Sequence, residues 1–203
     1  MSGQLISIIA QYGYFAIIAL VFLQEIGFPS PIPNEFVLLF SGYLSFTGIL
    51  KTSLVIVSAI AGDLLSSIIL YVFFYFFGKI ILQRKYKWLS IPQRKIKRLS
   101  HRINVSGQSG TFIGRLTPFI KGYVSVLCGL LHISHKKYGI ILIITSIIWS
   151  SAYVCCGYFI GPYWDLISQN NSNLRSLLII IPASVIMVFF IIHLFKKMFY
   201  VSK

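Results

Sequence analysis

Long apolar stretches without charge dominate the chain. They cover residues 5–24, 52–78 (interrupted once, by Asp63), 138–164 and 176–195. A helix needs about 20 apolar residues to cross the hydrocarbon core of a bilayer. The pattern therefore predicts an all-α integral membrane protein with four transmembrane helices, at 5–24, 52–78, 138–161 and 176–195.

Two further apolar stretches, 36–50 and 122–135, are too short to cross a bilayer. Each follows a segment that contains proline, glycine and charged residues. Such segments break helices and are typical of chain that enters a membrane and turns back. We therefore expect two re-entrant hairpins, at residues 25–50 and 105–135.

Composition agrees with a lipid environment. Hydrophobic residues make up 57% of the chain and charged residues 11%, whereas soluble domains are about 25% charged. The chain has 18 Lys and Arg against four acids, an imbalance too large for chance, but the apolar stretches are too long for a soluble nucleic-acid binder. We expect no nucleic-acid partner.

The small number of acids and cysteines also limits the chemistry. Four acids are too few for a site with five carboxylates around metal ions, and the three cysteines form no CxxC pattern. The sequence therefore predicts no metal and no cofactor.

The basic residues predict the orientation. Nine of them lie within residues 79–102, and Lys and Arg in short loops accumulate on the cytoplasmic side. Apolar positions at helical spacing in this linker, 79–104, predict an amphipathic helix bound to anionic lipid at the cytoplasmic surface. With four crossings, both termini are then cytoplasmic. The first apolar stretch has no basic segment or cleavage site before it, so we expect it to be retained.

The two predicted hairpins carry the polar residues that a membrane tolerates least. In the first, the residues of interest are Glu25, Pro29, Pro31, Pro33, Glu35 and Gly42; in the second, they are Gly114, Arg115, Pro118, Lys121 and Gly129. The predicted topology lets one hairpin enter from each side, as in the inverted repeats of secondary transporters. We expect the hairpins to meet near the midplane, with acids from one facing bases from the other.

Charges at that depth cost from about 2.5 to more than 10 kcal/mol each. Two interpretations account for them. One is a structural ion pair between Glu25 or Glu35 and Arg115 or Lys121. The other adds an anionic ligand: Arg115 can bind a phosphate bidentately, Lys121 adds a point charge, and a buried glutamate can exchange a proton.

Asp63 lies about 16 Å along its apolar stretch, close to the midplane. It is predicted either to take part in proton coupling or to be a hydrogen-bonded acid of the core. The sequence leaves both open.

The hairpin motifs resemble those of the DedA family of membrane proteins, over about residues 10–165. The first motif runs from Glu25 to Gly42. The second covers 112–121 and continues through Cys128-Gly129, Trp149 and 157–161. Three differences stand out, since the family usually has Arg at the position of Lys121, Ala at that of Cys128 and a Gly-Arg pair at that of Phe74-Tyr75.

The resemblance implies a bacterial inner-membrane protein that depends on the proton motive force. Some family members translocate undecaprenyl phosphate. By this resemblance, Glu25, Glu35, Arg115 and Lys121 match the family's essential charged positions.

These observations predict a translocase rather than an enzyme, with lipid phosphate (a polyprenyl phosphate), anionic lipids and protons as partners. Arg115 and Lys121 are the predicted phosphate ligands, and Glu25, Glu35 and Asp63 the predicted proton-coupling groups. Alternatives are a proton-coupled exporter of small ions or drugs, a lipid phosphatase using His132 and His135, and a scaffold. A homo-oligomer is left open.

Overall fold

The computed structural model describes residues 3–28, 32–83, 108–118 and 120–163. These parts of the chain are helical and contain no strand. The helices are α1 (Gly3–Ile26), α2 (Asn34–Phe46), α3 (Thr52–Gln83), α4 (108–115), α5 (Lys121–Leu130) and α6 (His135–Ile160), followed by a 3₁₀ turn at Gly161–Tyr163. The predicted crossing at 176–195, the linker beyond residue 83, Pro29 and Pro31 lie outside the described residues.

Two helices, α3 and α6, are long and apolar enough to cross a membrane. The qualifying segments are Thr52–Gly78 and His135–Ile160, and α1 contributes a shorter apolar helix, Gln11–Ile26. Large apolar side chains stay exposed on these helices, among them Phe15, Phe76 and Phe159 at 67–73% exposure. Lipid is the solvent that such a surface fits.

The described chain has two halves, α1–α3 and α4–α6, and the short helix of each half packs on the long helix of the other half, which we call the exchange of short helices. Helix α2 packs on α6, and α5 packs on α3. Glycines let the two helices of each pair approach closely. In the α2–α6 contact, a Cβ added at Gly42 or Gly157 would overlap the backbone of the other helix. In the α3–α5 contact, a Cβ added at Gly129 would lie 2.5 Å from the Tyr71 carbonyl oxygen. Each short helix is therefore held by the long helix of the other half.

Contacts at the helix ends give the directions of the two helical hairpins, α1–α2 and α4–α5. Phe46, the last residue of α2, packs on Gly161 beyond the end of α6, whereas Leu130, the last residue of α5, packs on Gly78 near the end of α3. At the tips of the two hairpins, Lys121 at the start of α5 forms an ion pair with Glu25 near the end of α1. The hairpins thus start at opposite ends of the α3–α6 pair, and their tips meet between them.

Helix α1 runs parallel to α3, which differs from the predicted topology. Near the start of α3, the Lys51 backbone N–H donates to the Tyr14 hydroxyl at 2.9 Å. Further along both helices, Glu25 and Asp63 share the Lys121 ammonium. A crossing at 5–24 followed by one at 52–78 requires antiparallel helices, and the observed direction of α1 differs from that arrangement. The apolar stretch is long enough to cross, but the chain reverses at its proline-containing end when α1 is only level with the middle of α3.

Candidate functional site

Asp63 lies at the centre of a buried network of charges. Its Oδ2 accepts from Arg115 Nη2 at 3.0 Å and its Oδ1 accepts from Lys121 Nζ at 3.0 Å. The Ser146 hydroxyl on α6 donates a third bond, to Oδ2, at 2.5 Å. Asp63 is 2% exposed. This carboxylate therefore joins the middle of α3 to the tip of the α4–α5 hairpin and to α6.

Arg115, at the end of α4, is buried among hydroxyl groups. Its Nε donates to Thr145 Oγ1 at 3.0 Å, and its Nη1 donates to Ser67 Oγ at 3.0 Å and Ser125 Oγ at 2.8 Å. A guanidinium has five N–H donors, and with Asp63 four of them have an acceptor within 3.0 Å. Arg115 is thus fixed by α3, α5 and α6 together.

Lys121 bridges two acids. Besides Asp63, its Nζ contacts Glu25 Oε2 at 3.0 Å. Its ammonium also lies 5.8 Å from the centre of the Trp149 ring, a cation–π distance. Gly122 permits this arrangement, because a Cβ there would lie 2.9 Å from the Glu25 carbonyl oxygen.

The four charges of this network balance. Glu25 and Asp63 contribute two negative charges, and Arg115 and Lys121 two positive ones, when all are ionised. All four are buried, with exposures of 1–7%. Removing one member of such a group leaves an uncompensated buried charge and costs about 3–5 kcal/mol. The network is neutral as a whole, and a single proton on either acid changes that.

Glu35 does not join these ion pairs. It lies in the first turn of α2, it is buried, and it interacts electrostatically with Tyr153 on α6. Within the described part of the chain, it has no salt bridge. The structure therefore brings together Glu25, Asp63, Arg115 and Lys121, but it places Glu35 at a separate position.

The residues expected to shape the hairpins lie at the turns and close contacts. Pro33 directly precedes α2, and Pro118 lies in the turn between α4 and α5. Gly114 packs against Val124, whose nearest side-chain carbon would be 2.8 Å from an added Cβ. Proline and glycine at these positions allow the sharp tips and the tight return of each hairpin.

Sequence reasoning missed most of the polar groups around the charges. These are the hydroxyls of Ser67, Ser125, Thr145 and Ser146 and the side chains of Asn34, Trp149 and Tyr153. One signal was available, since the α6 residues of this set occupy positions 145, 146, 149 and 153, one face of a helix within an apolar stretch. In the described residues, no three His, Cys, Asp or Glu side chains are grouped to hold a metal.

Comparison with known proteins decides the family. The VTT domain matches residues 32–159, which contain α2 to α6 and most of the charged network. The chain belongs to this family, the DedA family of membrane proteins. The resemblance carried by the hairpin motifs is thereby confirmed.

Curated relatives of this DedA protein carry names of different kinds. An "alkaline phosphatase-like protein" of Lactococcus lactis is 26% identical over 98% of this chain and 94% of its own length. An "uncharacterized membrane protein" of Synechocystis is 28% identical over 74% and 68%. "Undecaprenyl phosphate transporter A" of Bacillus subtilis is 24% identical over 79% and 81%. No solved structure matches the chain.

Proposed function

We propose that this protein is a proton-coupled translocase that moves a lipid phosphate, undecaprenyl phosphate or a related polyprenyl phosphate, across the bacterial inner membrane. The observation that carries the proposal is the neutral, buried charge network where the two hairpin tips meet. Its support from comparison is the name of the Bacillus relative, and the Staphylococcus aureus relative of the same name is 21% identical over 93% of this chain.

The proposed membrane arrangement has α3 and α6 as crossings and the α1–α2 and α4–α5 hairpins as re-entrant segments from opposite sides. This is the inverted repeat of secondary transporters, with its site at the midplane. The basic sequence of the linker supports a cytoplasmic position for the C-terminal end of α3. Because α1 is parallel to α3, the start of α1 then lies on the outer side, which replaces the predicted cytoplasmic N-terminus.

Glu25 is the best-placed proton-coupling group of the three predicted acids. Protonation of Glu25 removes its ion pair with Lys121 and leaves the network with one net positive charge. The ammonium then has a free donor and an uncompensated charge for a phosphate oxygen. Asp63 is less suited, because it already accepts from Arg115, Lys121 and Ser146. Glu35, which interacts with Tyr153, is in this proposal a second acid that can exchange a proton.

Lys121 is the better placed of the two predicted phosphate ligands, since four of the five Arg115 donors already have acceptors in the protein. In this mechanism Arg115 supplies positive charge and holds Asp63. The polyprenyl chain stays in the bilayer. A membrane potential contributes about 2.3 kcal/mol per charge moved per 100 mV, which is sufficient to bias the direction.

Reconstitution into vesicles tests this function. Mass-tagged undecaprenyl phosphate and an ordinary phospholipid are supplied together, and the exchange of each between leaflets is measured with and without a pH gradient. We expect exchange of the phosphate that responds to the gradient and is lost in Glu25→Gln. Exchange no faster than in protein-free vesicles would overturn the proposal.

The same vesicles distinguish the remaining functions. Proton flux driven by a soluble ion without lipid phosphate would indicate the small-ion or drug exporter. Release of inorganic phosphate would indicate a phosphatase, the activity in the name of the Lactococcus relative. His135, one of the histidines considered for that chemistry, is hydrogen-bonded to Tyr71 at 2.8 Å and lies at the start of α6, far along the helix from Ser146.

A further inference from the structure

Within the described residues, several buried polar atoms on α1, α2 and α6 have no hydrogen-bond partner. They are Trp149 Nε1, Tyr153 OH, both side-chain amide atoms of Asn34, and Glu25 Oε1. Their residues are 1–9% exposed. A buried polar group without a partner costs about 1–3 kcal/mol, and native structures contain few of them. Such a concentration at the meeting point of two hairpins calls for an explanation.

Two of these groups form a continuous face with the charged network. Trp149 and Tyr153 lie one turn apart on α6, and their ring centres are 4.7 Å apart. Lys121 lies over the Trp149 ring, and Tyr153 interacts with Glu35. Trp149 and Tyr153 thus continue along α6 from the Lys121 ammonium, beyond the Thr145 contact of Arg115, towards Glu35.

The chemistry of these groups selects a ligand. An indole N–H can only donate, and a phenol and an amide can both donate. Three buried donors, one of them on the indole ring that lies against the Lys121 ammonium, suit the oxygens of an anion. We propose that Trp149, Tyr153 and Asn34 form a hydrogen-bond-donor subsite for a phosphate monoester bound to Lys121. This inference rests on the proposed function and names the contacts of its headgroup.

The subsite also explains how a phosphate binds without dismantling the Arg115 network. The ligand meets donors that have no partner among the described residues, so only the Glu25–Lys121 pair has to open. The hydroxyl contacts of Arg115 and its bond to Asp63 stay in place. Arg115 is a positioning residue in this arrangement, and the phosphate contacts lie on α6, α2 and Lys121.

Removal of single polar atoms tests the subsite. Tyr153→Phe deletes one unpaired oxygen, and Trp149→Phe deletes the indole N–H while keeping an aromatic ring. Tyr158→Phe is the matched control on α6, because its ring is 38% exposed and packs edge-on against Phe46. Binding of farnesyl phosphate and of inorganic phosphate to the purified full-length protein is measured by calorimetry, together with the thermal midpoint without ligand.

We expect Tyr153→Phe and Trp149→Phe to weaken binding of farnesyl phosphate about tenfold or more, as for loss of a hydrogen bond to a charged group. Tyr153→Phe should at the same time keep or raise the thermal midpoint, because the oxygen it removes is buried and unpaired. A structural role of this hydroxyl would lower the midpoint instead. Tyr158→Phe should bind as the wild type does. Competition between inorganic phosphate and farnesyl phosphate would show that the subsite recognises the phosphate group alone. Absence of competition would show that it binds phosphate only when the lipid chain is attached.

The outcomes separate this inference from the function on which it rests. Wild-type affinity in both Tyr153→Phe and Trp149→Phe would overturn the subsite and leave the translocase intact. Unchanged binding with reduced proton flux would also overturn it, since the groups would then hold water for proton transfer. Absence of binding by the wild-type protein would contradict both proposals.

Discussion

The Arg115 guanidinium donates to the Asp63 carboxylate at 3.0 Å, across 52 positions of sequence and between the tip of one hairpin and the middle of a long helix. This pair fixes the α4–α5 hairpin on α3. The other oxygen of Asp63 accepts from Lys121, so this lysine keeps one partner when its ion pair with Glu25 opens. One carboxylate therefore holds both cations of the network.

Asp63→Asn tests this central position. The variant retains both cations but only one acid, so the buried network gains one net positive charge. We expect a loss of about 3–5 kcal/mol of stability, seen as a lower thermal midpoint in detergent and a lower amount of protein in the membrane.

A charge-balanced double variant is the control for Asp63→Asn. Adding Lys121→Met removes one cation and restores neutrality. Its midpoint should recover part of the loss, while lipid-phosphate exchange should stay absent because the proposed phosphate ligand is gone. A double variant no more stable than Asp63→Asn would contradict the charge-balance explanation.

Arg115→Lys separates charge from hydrogen-bonding geometry. Lysine keeps the positive charge but cannot reproduce the fork that bonds Asp63 and three hydroxyls. We expect a lower midpoint by the equivalent of about 1–3 kcal/mol and slower lipid exchange. Lys51→Arg, on an exposed residue at the start of α3, should have no effect. A wild-type midpoint in Arg115→Lys would mean that charge alone is required.

Gly157→Ala tests the close contact between α6 and α2. The added methyl group would overlap the Leu39 backbone, so the helices must separate, at a cost of about 1–3 kcal/mol or more. Gly139→Ala is the control on the same helix, since nothing lies within 4 Å of its added Cβ; it should be neutral or slightly stabilising. The thermal midpoints of both variants are measured. Equal midpoints would show that the close contact is not required for the stability of the fold.

Labelling of single cysteines tests the orientation of α1. In a variant without the three natural cysteines, new ones are placed at Gly3, Lys51 or Lys137. A membrane-impermeant maleimide applied to intact cells should label positions 3 and 51, and position 137 only after permeabilisation. Labelling of 51 without 3 would restore the antiparallel arrangement of a four-crossing topology.

Local patterns in the sequence were sufficient to predict the helical class, the apolar helices over 52–78 and 138–161, and an ion pair of Glu25 or Glu35 with Arg115 or Lys121, without the choice of Glu25 and Lys121. These features depend on the length of the apolar stretches, on their composition and on the free-energy cost of a charge inside the membrane. The direction of α1 was not predictable in the same way, because an apolar stretch of 20 residues has the same composition whether it crosses a membrane or turns back within it.

The central role of Asp63 was also underestimated. From sequence it is a lone acid in an apolar helix, and its partners, Arg115, Lys121 and Ser146, come from three distant segments. The separation of Glu35 from Glu25 has a similar cause. The two acids flank the same proline-rich tip, but α1 and α2 present them to different neighbours, and only the three-dimensional packing determines which one meets Lys121.

The exchange of short helices has a consequence for biogenesis. Helix α2 is complete at residue 46, yet α6, on which it packs, starts at residue 135. At about 5–20 residues per second, the ribosome needs roughly 4–18 s to add the intervening chain. While residues 64–114 are added, Glu25 and Asp63 are already made but Arg115 and Lys121 are not, so the nascent first half waits with unmatched acids until its cationic counterpart is inserted.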